Sequence, residues 1–161
     1  LYNSLIRGKT IDLTFGDTSI PLHVKNIWVE SLPAYRYPVL VETLSPITVY
    51  KTEQCDGRLY TRYYSPWDAE FCELIISNLW RKYRALTGRE GVCSDKKPYI
   101  KPFKVASQES VVYFKSTVVK SWSGIFELGL PKELFHVALS CGLGAKNSQG
   151  FGCIGIWRDG P

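Results

Sequence analysis

The sequence predicts an α+β fold: a ferredoxin-like βαββαβ domain whose antiparallel sheet carries two helices on one face, preceded by two strands that bring no helix of their own. Three observations lead there. Extended and helical periodicities alternate in the order strand, helix, strand, strand, helix, strand from Val39 onward. One long apolar stripe at spacings of three and four marks the first helix. A second, shorter helix stops at Gly142 and is separated from the last strand by a loop containing four glycines.

The elements follow in order. Thr10 to Phe15 and Ile20 to Val29 alternate as strands around a Gly16-Asp17 turn, and such a hairpin is marginal alone, so residues 1–36 are expected to be the strands and linker of an incomplete N-terminal domain. Ser31 to Pro38, with two prolines, reads as that linker. Residues 37–161 then form the domain proper. It opens with an extended stretch from Val39 to Tyr50, where Ser45-Pro46 predicts an edge or a bulge because proline lacks the N–H a ladder needs.

A turn at Asp56-Gly57 and a short strand rich in Tyr and Arg come next. The first helix is expected to open at Ser65 as cap, with Pro66 in its first turn and Asp68 favoured by the dipole. Its stripe is Phe71, Leu74, Ile75, Leu79, Tyr83 and Leu86, and Gly88 stops it. Tyr99 to Val105 and Val111 to Val119 read as the middle strands of the sheet, the second running on through Trp122 to Leu128 across a bend at Ser123-Gly124. The second helix starts at Pro131, carries Glu133 in its first turn and buries Leu134, Phe135, Ala138 and Leu139. Phe151 to Trp157 is the final strand.

Composition restricts the function classes. Hydrophobic residues at 45% and charged residues at 22% are those of an ordinary folded chain, which excludes a disordered one. The net charge of +5 favours a polyanionic partner while falling short of histone-like proteins. No apolar stretch approaches the ~20 residues needed to cross a bilayer, so no membrane partner is expected. Cys55, Cys72, Cys93, Cys141 and Cys153 are an odd set without close pairs, and they read as free thiols of a reducing cytoplasm rather than disulfides or a zinc site. No metal site and no cofactor are expected. The chain starts at Leu1 and contains no Met, which suggests a fragment.

The segment richest in chemistry is Gly142 to Gly152. Glycines at 142, 144, 150 and 152 let a backbone approach a ligand closely and let amides converge on phosphate oxygens. Lys146 adds charge, and Asn147, Ser148 and Gln149 offer hydrogen bonds to sugar or base edges. The plainer alternative, glycines that merely end a helix and begin a strand, requires one or two rather than four. Nucleotide-binding glycine loops follow a strand and open a helix, the reverse of the order here, and neither a Walker pattern nor a dinucleotide fingerprint is present.

A helix ending in G-x-G-x(5)-G-x-G directly before the last strand of such a domain resembles the RAMP superfamily of CRISPR-associated proteins. Within it, Leu44-Ser45-Pro46-Ile47, Asp68-x-Glu70-Phe71 and Asn78-Leu79-x-x-Lys82-Tyr83 resemble the repeat-processing endoribonuclease over residues 39 to 158, with residues 1 to 36 resembling the end of its first ferredoxin-like domain. The resemblance implies metal-independent cleavage of a CRISPR precursor RNA, in which a ribose 2′-hydroxyl attacks the adjacent phosphate. That needs a base, an acid and a cation. The family commonly places a histidine for this in the first domain, so the catalytic residue is expected to lie N-terminal to Leu1. The RNA-binding residues implied are Gly142, Gly144, Lys146, Asn147, Ser148, Gln149, Gly150 and Gly152. Other CRISPR-associated proteins or a second copy of the chain are the further partners.

His23 and His136, the two histidines present, read as surface or structural groups rather than catalysts. Cations interleave with aromatics at Arg58, Tyr60, Arg62, Tyr63 and Tyr64 and at Lys97, Tyr99, Lys101, Phe103 and Lys104, a mixture that suits single-stranded RNA but equally a strand with one core face and one solvated face. Lys115 and Lys120 extend that surface, whereas Tyr113, Phe114 and Trp122 read as core. Two readings compete with the endoribonuclease: a catalytically silent RAMP-type subunit holding guide RNA in an effector complex, and a protein-assembly module without RNA affinity.

Overall fold

The computed structural model describes residues 10–26, 31, 33–91, 96–114 and 117–158. They fall into two compact units, 1–32 and 33–161. In the first, strand β1 (Thr10–Phe15) pairs with β2 (Thr18–His23), Phe15 opposite Thr18 across Gly16 at φ 58°. The second strand thus ends at His23, and residues 27 to 29 of the longer strand expected there lie outside the described set. Both strands leave apolar side chains exposed, Leu13, Phe15, Ile20 and Leu22 among them.

The second unit contains β3 (Val39–Thr43), β4 (Tyr50–Cys55), β5 (Arg58–Tyr63), helix α1 (Ala69–Thr87), β6 (Tyr99–Val105), β7 (Ser110–Phe114), β8 (Thr117–Ser121), β9 (Gly124–Gly129), helix α2 (Lys132–Cys141) and β10 (Ile154–Ile156). Strands β10, β3, β9 and β6 form one fully antiparallel sheet in that order. This is the ferredoxin-like arrangement, with β3-α1-β6 and β9-α2-β10 as its two split units. Its tight side buries Val39, Val41, Ile100, Phe126, Leu128 and Ile154 in one cluster with helix residues. Phe71 of α1 stacks on Phe126 at 6.1 Å and meets Trp122 edge-on at 6.5 Å.

The four-residue spacing on α1 places Phe71, Ile75, Leu79 and Tyr83 on the buried face. Leu86 departs from the stripe and is 64% exposed. The start of α1 also differs from expectation. The residue at its cap position is Asp68, not Ser65, and the Asp68 Oδ2 accepts from Ser65 N–H at 2.7 Å and Ser65 Oγ at 3.0 Å. Ser65 to Asp68 is therefore a closed turn that precedes the helix, tied by half of a capping box. At the other end Gly88 takes the left-handed conformation, φ 69°, and donates to the Arg84 carbonyl.

Three expectations about the sheet are corrected. The middle strands are β3 and β9, and β6 lies at an edge. Residues 110 to 121 are not one strand of the sheet but a separate hairpin, Ser110 opposite Ser121 through Phe114 opposite Thr117, which uses the main-chain groups a sheet strand would have shared. Tyr113 is accordingly 77% exposed, while Trp122, beyond the hairpin, is buried. The extended stretch from Val39 to Tyr50 is not continuous: β3 ends at Thr43, the Leu44 and Ser45 N–H groups both donate to the Cys153 carbonyl, the bulge-like pattern expected at Ser45-Pro46, and beyond it Ile47 and Thr48 make single bridges to Trp122 and Ala145. Lys115 lies outside the described residues, as does Cys93; the four described cysteines are free.

The outward side of β6 is closed to a further strand. Pro98 and Pro102 have no N–H, and the Ile100 N–H between them is taken by the Cys72 sulfur at 3.3 Å. No helix among the described residues is long and apolar enough to cross a membrane.

Candidate nucleic-acid interface

The helix α2 starts immediately after Pro131, whose carbonyl accepts from Phe135 N–H, and ends at Gly142, where φ 76° turns the chain out of the helix. The next ten residues fold over the Pro46 to Thr48 segment. Gly152 N–H donates to the Pro46 carbonyl at 2.8 Å, Ala145 N–H to Thr48 at 2.9 Å, and Leu143 N–H to Gly152 at 2.8 Å. Backbone therefore crosses backbone at close range, and that is what three of the glycines permit. A Cβ at Gly144 would sit 2.5 Å from the Thr48 carbonyl oxygen, one at Gly142 2.7 Å from that of Gly152, and one at Gly152 would collide with Leu143. Gly150 differs: its φ is 90° but the space around it is open.

Gly142, Gly144 and Gly152 are buried, Lys146 and Asn147 half-buried, and Ser148, Gln149 and Gly150 exposed. The eight residues singled out in the sequence are thus one continuous feature with a packed base and an exposed tip, the tip being a single 3-10 turn over Asn147–Gln149. Asn147 does not face outward as expected. Its Nδ2 donates to the carbonyls of Leu143 at 3.1 Å and Phe151 at 3.0 Å, and its Oδ1 accepts from Lys82 at 2.7 Å. All three bonds are internal to the loop and its support, so the carboxamide shapes the loop rather than offering an edge to a ligand.

Lys82 of α1, named from the sequence only within the Asn78-Leu79-x-x-Lys82-Tyr83 motif and not among the RNA-binding residues, belongs to the site. Its ammonium also lies 2.8 Å from the Gly142 carbonyl and 3.4 Å from those of Cys141 and Gly144. A cation from one helix thereby collects the orphan carbonyls at the end of the other. Burial lowers its pKa from 10.5; the neighbouring Cys141 opposes the shift and Arg81 adds to it. The signal available in the sequence was a lysine at i+7 from Ile75 and i+3 from Leu79, beside a helical apolar stripe rather than opposite to it.

Lys146 extends over the ring of Tyr50 at 5.3 Å, and Tyr50 packs against Tyr63 at 5.6 Å. The Tyr63 hydroxyl donates to Val118 of the β7–β8 hairpin at 2.8 Å, and burial raises its pKa. The loop, the β4–β5 hairpin and the β7–β8 hairpin are joined in this way into one surface. The interleaved cations and rings pair with one another: Arg62 and Lys51 lie 5.1 and 5.9 Å from the centre of the Tyr64 ring, Lys101 4.7 Å from that of Tyr99, and Lys104 within 6 Å of both Phe103 and Trp157.

The Phe103, Lys104 and Trp157 cluster lies on the side of the sheet away from the helices: alternation from the inward Ile154 turns Trp157 outward, and the bulge between Pro102 and Lys104 lets two consecutive residues of β6 share that side. Tyr99 on β6 donates its hydroxyl to Glu127 at 2.8 Å, which with burial pushes its pKa to about 12. The histidines have ordinary neighbours: the Nδ1 of His23 is 2.9 Å from the Thr10 hydroxyl, and His136 lies beside Phe135. Among the described residues no three His, Cys, Asp or Glu side chains gather where they could hold a metal ion.

No curated protein matches the sequence. Among solved structures, a Cas6-related gene product from Pyrococcus furiosus is similar with a TM-score of 0.75 at 21% identity, over 92% of this chain and 59% of that one. A structure described as an RAMP protein binding different RNA substrates gives 0.72 at 21%, over 91% and 59%. A third, named CRISPR associated protein Cas6, gives 0.64 at 22%, over 79% and 52%. At such identities these matches establish the shared fold, and this chain spans between half and three-fifths of the length of those proteins. The sequence itself matches, over residues 32–156, the model of the C-terminal part of CRISPR associated protein Cas6, and the chain belongs to that family.

Proposed function

We propose that this chain is the RNA-holding C-terminal part of an endoribonuclease that processes CRISPR repeat precursor RNA into guide RNAs. The observation that carries the reading is the loop from Gly142 to Gly152, anchored from beneath by Lys82 and Asn147, with its tip exposed and Lys146 and Tyr50 beside it. Lys146 supplies charge for the phosphate backbone, and the tip residues Ser148 and Gln149 supply donors and acceptors for sugar and base. Family membership supports the CRISPR context, and a relative of the same fold is described as binding RNA substrates. Residues 1–36 fit the closing strands and linker of a preceding ferredoxin-like domain: their hairpin exposes apolar side chains that a larger sheet would cover. The base and acid for attack of the 2′-hydroxyl on the phosphate then belong to that preceding domain.

The test is binding of a labelled CRISPR repeat RNA and the DNA of the same sequence at two salt concentrations, with cleavage followed in EDTA. It is made with this chain and with the chain joined to whatever coding sequence precedes it in its gene. RNA-selective binding, with cutting by the longer protein, supports the endoribonuclease. Binding without cutting by either establishes a silent RNA-holding subunit, and absence of binding establishes an assembly module.

A further inference from the structure

Beside the stripe that α1 buries runs a second one, in which Cys72, Ile76, Trp80 and Arg84 follow one another at four-residue steps. Cys72, Ile76 and Trp80 pack against the core yet stay half-buried. The Cys72 sulfur, which accepts from the Ile100 N–H, turns this flank of the helix towards β6. An open groove of about 880 Å³ runs there between α1 and the start of β6, with Ile76, Trp80 and Arg84 on the helix side and Lys97 and Pro98 on the other. That is the size of a ligand site and far beyond a packing defect among side chains.

The walls of the groove select its occupant. Ile76 and Trp80 supply apolar surface, and the charged residues that border it are Arg81, Arg84, Lys97 and Lys101 against Glu73 and Glu90. Flat apolar faces joined by negative charges match that combination, and they are the make-up of a single-stranded polynucleotide. A peptide added as a further strand does not fit, because Pro98, Pro102 and the occupied Ile100 N–H close the edge of β6. Arg84 lies 3.5 Å from Glu90, but both side chains are largely exposed, and such a pair is weak enough to yield to a phosphate. The groove is also continuous with the surface at the glycine loop: Arg81 borders both the groove and the niche where Gly144 and Ala145 meet Tyr50. From this continuity we infer that the groove is a second RNA subsite, in which a single-stranded stretch leaving the glycine loop stacks a base on Trp80 and sets its phosphates against Arg84 and Lys97. The inference rests on the RNA-binding reading above, and the subsite holds RNA without taking part in its cleavage.

The test uses repeat RNAs that carry one thiouridine at successive positions, irradiated on the unaltered chain, with the crosslinked peptides identified by mass spectrometry. Some positions should crosslink to the loop segment around Lys146, and a neighbouring run of positions to the α1 segment around Trp80. In binding assays Trp80→Leu should weaken the full repeat RNA about tenfold, the size of one base stack, and leave unchanged an RNA trimmed to the positions that crosslink to the loop. Lys97→Ala, an exposed substitution that spares the fold, should lower the slope of log affinity against log salt by about one for the full RNA and leave that of the trimmed RNA as it is. Crosslinks at the loop with none on α1, or the same effect of both variants on full and trimmed RNA, overturn the groove and leave the loop as the RNA site. An unaltered chain that binds and crosslinks no RNA refutes the RNA-binding reading, and the subsite falls with it.

Discussion

Lys82 and Asn147, 65 positions apart in sequence, are joined by a 2.7 Å hydrogen bond that fixes the glycine loop to the first helix of the domain. The bond sits among three carbonyl contacts made by the same ammonium. Lys82→Met should lower stability by about 2 kcal/mol, since it strands several acceptors at once. Asn147→Ala should cost a similar ~2 kcal/mol, and the double variant less than the sum, because both remove the same bond. Urea denaturation of the four proteins measures the coupling. The pH dependence has a definite sign: burial makes Lys82 harder to protonate folded than unfolded, so its contribution grows as pH rises from the depressed folded value towards 10.5. The stability gap between the chain and Lys82→Met should widen over that alkaline range.

The glycines should separate into two classes. Gly144→Ala forces a Cβ to 2.5 Å from the Thr48 carbonyl at φ 69° and should cost about 3 kcal/mol. Gly150→Ala meets open space and pays only for its positive φ, about 1 kcal/mol. Thermal melts of the two variants decide it, and equal losses would contradict the crossing of backbones described here.

Lys146→Ala should leave stability within about 0.5 kcal/mol, since the substitution keeps the main-chain bonds to the Lys146 carbonyl and removes a weak side-chain contact with the Tyr50 ring. It should weaken RNA binding at low salt and reduce the slope of log affinity against log salt by about one. A salt titration of the labelled repeat RNA measures both.

Tyr99 should keep its proton until strongly alkaline pH. Its hydroxyl donates to Glu127, and with a folded pKa of about 12 its stabilising bond is fully present below pH 10 and lost as pH rises from 10 to 12. Tyr99→Phe should be less stable than the parent at neutral pH, with the difference shrinking through that window. Denaturation midpoints taken at intervals from pH 8 to 12 provide the comparison.

Local chemistry settles much of this protein from its sequence. The periodicity of Phe71, Ile75, Leu79 and Tyr83 dictates α1, and the glycines at 88 and 142 end both helices, because these effects act within one or two turns of chain. The Asp56-Gly57 turn, with φ of 50° and 75°, likewise fixes the β4–β5 hairpin. The same local view misplaced what depends on partners. Val111 to Val119 has strand character whether it pairs in the sheet or folds back on itself, and only the competition for hydrogen bonds from β3 and β9 left β6 at the edge and the hairpin outside.

The glycine loop was visible as a motif, yet its inner wiring was not. The inward turn of Asn147 and the cation brought by Lys82 together join α1 to a loop some 65 residues further on. Side-chain type alone cannot tell a lysine that collects carbonyls from one that faces water; the packing of α1 beside α2 makes that choice. The sequence determined the elements and the loop, because propensity and glycine freedom are properties of short segments. Tertiary structure decided which polar groups meet, because desolvation and hydrogen bonding are properties of neighbours in space.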